Sequence, residues 1–264
     1  MPSRRLALAA VLAVSFSVVL PAGSAYAKPK PPPTVAPVTY DVSYPQCGGA
    51  LPTSPESGIV GVNNGVVLSG NPCLATEYAW AAKATAYPPA FYANTANPGP
   101  AYSSHWPAGS TFPQACDGTN NTACSYDYGW NYATDALSRA MAVTTNAAAA
   151  TWWLDVETGN SWQTLEAAYG QTAAAQANDR ASLAGAIDAL RYGGVVTIGV
   201  YSTSYQWTQI TGGSGTQFAA QPAWVAGTGP LSTAQTNCRT ASFTGGRVTL
   251  TQYARSGYDA DYRC

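Results

Sequence analysis

Short apolar segments alternate with helix-forming stretches along most of this chain, and that alternation leaves few architectures open. VTYDVS (38–43), SGIVGVNNG (57–65), PAFYANT (89–95), WWLDVE (152–157) and VVTIGVYS (195–202) read as strands, most of them bounded by Gly, Pro or Asn. QPAWVAG (221–227) and GRVTLTQYA (246–254) follow as two more. Between them, CLATEYAWAAKATA (73–86) is rich in good helix formers, and DYGWNYATDALSRAMAV (127–143) reads as a helix entering the fourth strand. In NDRASLAGAIDALRYGG (178–194), Leu183, Ile187 and Leu190 share one face, Asn178 or Asp179 is placed to cap, and Gly193 supplies the stop. Strand, helix, strand in this order implies parallel strands joined by right-handed crossovers. The pattern predicts an α/β fold, a variant of the (β/α) barrel whose later strands are joined by shorter connections.

The N-terminal segment stands apart from this pattern. A basic start (Arg4, Arg5), an apolar run from Leu6 to Leu20 and a small-x-small close at Ala25–Ala27 read as a secretory signal peptide, residues 1–27. KPKPPPTVAP (28–37) is a Pro-rich linker, and residues 38–264 form the predicted domain. Six cysteines fit an oxidising compartment, so the protein is expected to be secreted or cell-wall associated. Six cysteines allow fifteen connectivities. Proximity in the chain favours Cys116–Cys124 and Cys238–Cys264, leaving Cys47 with Cys73. With one histidine, His105, and no C-x-x-C pair, no metal site is expected, nor any cofactor. A net charge of −1 without a basic cluster in the mature chain argues against nucleic acid and against an anionic membrane surface. No membrane segment is expected after signal cleavage, and the protein is expected to act as a monomer. The loop from Ala96 to Tyr126 is long, Pro- and Gly-rich, and expected to be pinned by Cys116–Cys124.

Only 9% of residues are charged, yet WWLDVE ends in two acids, Asp155 and Glu157. Alternate strand residues share a face, so the two carboxyls point the same way. In a parallel barrel the C-terminal strand ends carry the chemistry. Two neighbouring carboxylates do not ionise together easily, and an acid beside a carboxylate is the equipment for glycosidic cleavage. Asp41 ends the first strand and Asp259 follows the last predicted one; if the barrel closes, both converge on the same mouth. Tyr92, Tyr201, Trp224 and Tyr253 stand at strand ends as candidate sugar contacts, each equally suited to core packing. Of Trp152 and Trp153, one is expected to face the barrel interior and one the helices, and Trp207 is expected to pack.

The ordered set YDVS, WWLDVE, IGVYSTSYQW, PAWVAG and LTQYARSGYDADY resembles glycoside hydrolase family 25, the Chalaropsis-type lysozymes, across most of residues 38–264. The resemblance implies a single (β/α)5(β)3 barrel that hydrolyses the β-1,4 bond between N-acetylmuramic acid and N-acetylglucosamine in peptidoglycan, with retention of configuration. By that resemblance Glu157 is the general acid. Asp155 is the second carboxylate, steadying the transition state, and Asp41 and Asp259 are supporting acids, with Asp259 preferred over Asp261. Two motifs depart from the family. PAFYANTANPG stands where G-Y-Y-H-F is usual, placing Tyr92 and Asn94 near the missing histidine, and T-Q-Y (251–253) replaces W-Q-Y. Three other readings stay open: a hydrolase of a different microbial wall polysaccharide, a glycan-binding barrel without turnover, and a secreted structural protein with an acidic groove.

Overall fold

The computed structural model describes residues 38–53, 55–213 and 216–264; the expected signal peptide and Pro-rich linker lie outside the described residues. Eight strands close into one barrel in chain order. They are β1 (Thr39–Val42), β2 (Ser57–Gly61), β3 (Ala90–Asn94), β4 (Trp152–Asp155), β5 (Ile198–Ser202), β6 (Ala223–Val225), β7 (Val248–Arg255) and β8 (Tyr258–Arg263). Strands β1 to β7 are parallel, and β8 runs antiparallel to both β7 and β1, which it joins. Five helices follow β2 to β6 in turn: α1 (Leu74–Ala81), α2 (Thr122–Met141), α3 (Ala173–Tyr192), α4 (Ser204–Thr211) and α5 (Leu231–Asn237). This is the expected modified TIM-like barrel, with one refinement. The β1–β2 crossover contains a single 3-10 turn, Tyr44–Gln46, instead of an α-helix. The last two strands meet in a tight turn whose Ser256 and Gly257 both take positive φ (53° and 83°), the geometry that matches strand twist in a two-residue hairpin.

Side-chain alternation divides the core in two. Ile59, Ala90, Trp153, Trp224 and Leu250 fill the barrel interior, while Val60, Phe91, Trp152, Leu154 and Val200 face the helices. The two adjacent tryptophans thus part as expected. Trp207 is buried, packed edge-on against Phe218 at 5.2 Å between ring centres. Helices α2 and α3 lie so close that a methyl group at Gly129 would overlap the Ser182 carbonyl and one at Gly185 the Tyr126 carbonyl.

Two helix starts differ from expectation. α2 begins at Thr122, with the Asn121 side chain accepting from Cys124 N at 2.8 Å, so the helix takes in part of the presumed loop. α3 begins at Ala173 under a Thr172 cap, and the expected caps Asn178 and Asp179 lie buried inside it. Their polar groups serve tertiary contacts, described below.

All three disulfides join the partners expected from proximity: Cys47–Cys73, Cys116–Cys124 and Cys238–Cys264. The second pins the long loop to the first turn of α2, and Asp127 reinforces it by accepting from Ser110 Oγ and, at 3.0 Å, from Gln114 N. No helix among the described residues is long and apolar enough to cross a membrane.

Candidate active site

Above the apolar interior layer the barrel becomes polar, and a groove opens at the C-terminal strand ends. Asp41, Tyr92, Asp155, Glu157, Tyr201, Trp224, Gln252 and Asp259 line it. Seven of the eight side chains predicted for the site are therefore brought together. The eighth, Tyr253, is not. It packs against Val38, Ala234 and Ala260 on the barrel's outer side, and its neighbour Gln252 faces the groove instead. On a strand buried on both faces, apolar content alone does not reveal which alternate set points inward.

Asp155 is the last residue of β4, register partner of Asn94 on one side and Tyr201 on the other. It is 6% exposed. Its Oδ2 accepts from Asn94 Nδ2 at 2.7 Å, while Oδ1 is buried without a donor and lies against Glu157. Burial, then the charge and hydrogen bond of Glu157, hold the Asp155 carboxyl well above the usual carboxylate range. A proton on Oδ1, donated to Glu157, satisfies the otherwise orphaned oxygen. A proton between the two carboxyls satisfies the contact, and burial favours the neutral form of Asp155. Glu157 lies just beyond the strand and is more open to the groove. Gln206 Nε2 donates to Glu157 Oε1 at 3.3 Å, and Trp162 Nε1 holds its backbone carbonyl at 2.9 Å.

A second carboxyl pair stands across the groove. Asp41 and Asp259 are register partners at the β1–β8 seam, so closure brings these two acids to one mouth as anticipated. Asp259 lies within β8 instead of following the last strand, and it is the exposed member. Asp261, passed over in the sequence, lies deeper and is 4% exposed. Trp224 Nε1 donates to its Oδ1 at 2.7 Å, and its Oδ2 is buried without a donor, against Asp41. Burial, then the charge of Asp41, keeps Asp261 well above the usual range. Burial and the charge of Asp259 push Asp41 up to about 7. Two carboxylates cannot hydrogen-bond unless one carries a proton, and the deeper burial of Asp261 favours it there. Asp41 then collects donors: the Asp261 hydroxyl and, at 3.1 Å, Gln252 Nε2. Gln252 is itself oriented by Tyr201, whose hydroxyl donates to Oε1 at 2.8 Å.

Among the aromatic candidates, Trp224 is 2% exposed and its indole N–H is committed to Asp261, so it forms the groove floor instead of a stacking face. Tyr201 lies edge-on to it at 4.6 Å and Tyr92 at 6.4 Å. Both tyrosines are half-buried and remain at the groove surface. Sequence reasoning missed Gln252, Gln206 and Asn160, whose Nδ2 donates to the Asp155 carbonyl at 3.1 Å. Asn94 was noticed only as a neighbour of the absent histidine. Its position opposite Asp155 in a parallel register is the signal that identifies its role. Among the described residues no group of three or more His, Cys, Asp or Glu is arranged to hold a metal ion.

No protein-family model matches the sequence, and no curated protein does. Solved structures do match. A muramidase from Acremonium alcalophilum superposes with a TM-score of 0.52 at 15% identity, covering 86% of this chain and 93% of that one. A muramidase from Trichobolus zukalii gives 0.50 at 16% identity, covering 87% and 94%. A family GH25 lysozyme from Aspergillus fumigatus gives 0.50 at 12% identity, covering 86% and 92%. At these identities the likeness is one of fold, shared over nearly the full length of each of the three.

Proposed function

We propose that this protein is a secreted glycoside hydrolase of the family 25 type, a divergent muramidase that cleaves β-1,4 bonds of peptidoglycan. The observation that carries the reading is the contact of Asp155 with Glu157, a buried carboxyl beside a more open one at the C-terminal mouth of the barrel. Three formed disulfides support an oxidising destination, and the ordered sequence motifs, together with the shared barrel of the muramidases, support the substrate class.

The geometry supports the following division of labour. Buried Asp155 stores the proton, and Glu157, open to the groove, delivers it to the glycosidic oxygen as the C–O bond breaks. Proton transfer from Asp155 to Glu157 leaves Asp155 ionised beneath the carbon that becomes oxocarbenium-like, where its charge is stabilising; water then forms the new C–O bond at that carbon and returns a proton to the pair through Glu157. Asn94 holds the non-protonated oxygen of Asp155 and so decides which oxygen faces Glu157. Asp41, supplied with donors by Gln252 and Asp261, and the exposed Asp259 form the opposite wall and accept hydrogen bonds from sugar hydroxyls. Tyr92 and Tyr201 offer their ring edges and faces to the sugar.

The test is release of reducing ends from purified peptidoglycan by the mature protein beside its Glu157→Gln variant. Release by the wild type with a loss of at least about 100-fold in the variant is expected, the usual weight of a general acid. Equal rates would dismiss Glu157 as the acid. No release by the wild type would remove peptidoglycan as substrate and leave another wall polysaccharide or a binding role.

A further inference from the structure

Four aromatic rings meet on the solvent side of α2 and α3, and none of them lines the acid groove. Trp130 lies 5.4 Å from Phe112, 5.3 Å from Tyr192 and 6.5 Å from Tyr126, ring centre to ring centre. Phe112 and Tyr192 close the set at 6.1 Å. Tyr192 is 77% and Phe112 63% exposed, while Trp130 and Tyr126 are half-buried beneath them. Single exposed aromatics are ordinary on a protein surface, whereas a contiguous set marks a surface that binds something.

The structure holds Phe112 in the open. It stands midway between Ser110 and Gln114, and both bond Asp127, a buried acid of α2 that has no part in the groove. Ser110 Oγ donates to Asp127, and Gln114 N does so at 3.0 Å. Cys116 N donates to the Ser110 carbonyl at 3.0 Å, and the Cys116–Cys124 disulfide closes the loop onto α2. A disulfide and a buried carboxyl thus fix a phenylalanine that they do not bury. Packing has no need of such an arrangement. A ligand platform does, because its ordering is complete before the ligand arrives.

Beside the rings the surface turns polar. Tyr126 Oη donates to Asp188 at 2.8 Å, and Asp188 pairs with Arg191 at 3.4 Å. These two residues, with Gln217 and Gln221, line a depression of about 260 Å³. Their charges cancel, and no other ionisable side chain lines it. A nucleic acid or an anionic membrane would require unpaired cations. A stable second copy would require apolar surface continued over about 800 Å² on each partner. A pyranose chain requires what is present. Aromatic faces suit its C–H faces, and planar amide, guanidinium and carboxylate groups suit the hydroxyls at its ring edges.

We infer that Phe112, Trp130 and Tyr192, with the Asp188–Arg191 depression, form a surface site for a neutral glycan chain, apart from the acid groove. The choice of a glycan over other neutral ligands rests on the glycoside hydrolase reading. A second hold on the same polymer keeps chain concentrated at the groove while an insoluble wall is being cut.

The test is aromatic NMR of the Glu157→Gln protein carrying isotope-labelled phenylalanine and tyrosine. It is titrated with chitotetraose and, separately, with sorbitol, which has hydroxyls but no ring. The Phe112 and Tyr192 signals, assigned by their loss in Phe112→Ala and Tyr192→Ala, are expected to move saturably with chitotetraose and to stay still with sorbitol. Each alanine variant should weaken the response of the remaining ring about tenfold. Unmoved signals of Tyr92 and Tyr201 before sugar is added certify that the variant barrels are folded. Phe112 and Tyr192 unmoved by chitotetraose overturn the site, as does an equal response to sorbitol. Movement with protein concentration alone assigns the rings to a second copy and overturns it too. The hydrolase reading is judged apart, by release of reducing ends. Hydrolysis by the wild type with Phe112 unmoved removes the surface site alone. No hydrolysis with Phe112 moved by chitotetraose upholds the site and removes the hydrolase reading.

Discussion

Two buried oxygens, Asp155 Oδ1 and Asp261 Oδ2, lack donors and each faces another carboxyl, so each pair needs a proton, and burial favours Asp155 and Asp261 as its holders. If Asp261 acts as a neutral donor, an amide can replace it. Asp261→Asn should accept from Trp224 and donate to Asp41, leaving stability within about 0.5 kcal/mol of wild type by denaturant titration. Asp261→Ala should lose about 1–3 kcal/mol, because the Trp224 N–H is then buried without a partner. Equal losses in the two variants would show that the proton does not sit there. Asn94→Ala removes a hydrogen bond that lowers the Asp155 pKa. The carboxyl should then hold its proton more tightly, lowering kcat and moving the alkaline limb of the rate profile to higher pH; an unmoved limb would contradict the role given to Asn94. At this scale the sequence was informative about acids and poor about their partners. Asp41, Asp155 and Glu157 stand out because carboxylates are rare in the chain and end apolar strands. Gln252 was hidden because strand parity is not visible when both faces are buried, and Asp261 stood second to Asp259 because alternate residues share a face and YDADYR does not show which of the two lies deeper.

The elements around the groove are held by polar groups in helix interiors. Asp179, wholly buried in α3, accepts from Asn97 Nδ2 at 3.0 Å, from Gln163 N and Thr164 N at 3.1 Å each, and from Thr164 Oγ1 at 2.9 Å. It thereby ties the start of the β3–α2 loop and the turn after Glu157 to one helix. Beside it Asn178 donates to both Asn120 and Gln163, which bond each other in turn. Asp179→Ala would leave several backbone and amide donors unsatisfied and should cost about 3 kcal/mol or more. It should also raise KM, since the tethered turn carries Asn160, which holds the Asp155 carbonyl. A melting temperature unchanged from wild type would remove this role. These contacts explain why the start of α3 was misplaced. Its first turn, AAAQA, has no apolar periodicity to mark it, and Asp179 looks like a cap because the loops it serves are distant in sequence. The barrel itself was legible because the three crossovers from β2 to β5 repeat the same alternation of strand and helix. The β7–β8 hairpin was only half visible, since YDADYR lacks the apolar run that marked the other strands.

Closure of the barrel concentrates the acids that dilute composition hides, and this links the fold of the whole molecule to pH. Asp41, Asp155, Asp259 and Asp261 come from three strands and meet only when β8 joins β1. In the folded protein Asp41 is raised to about 7, and Asp155 and Asp261 are held well above the ordinary value, chiefly by burial in each case. In the unfolded chain the same groups titrate near 4. Between these values the folded state binds protons that the unfolded state has released, and each such proton weakens folding by about 1.4 kcal/mol per pH unit, less where a group is half-exposed as Asp41 is. Stability is therefore fully present below about pH 4 as far as these groups are concerned, falls as pH rises through 7, and continues to fall where Asp155 and Asp261 lose their protons. The melting temperature should decline from mildly acidic to neutral and alkaline pH, at constant ionic strength. Asp261→Asn should flatten the decline, because an amide has no proton to lose. A wild-type melting temperature that instead rises from pH 4 to pH 7, or an Asp261→Asn profile parallel to the wild type, would mean that these carboxyls are ionised in the folded barrel. In that case the proton required by Glu157 has to come from solvent instead of from Asp155.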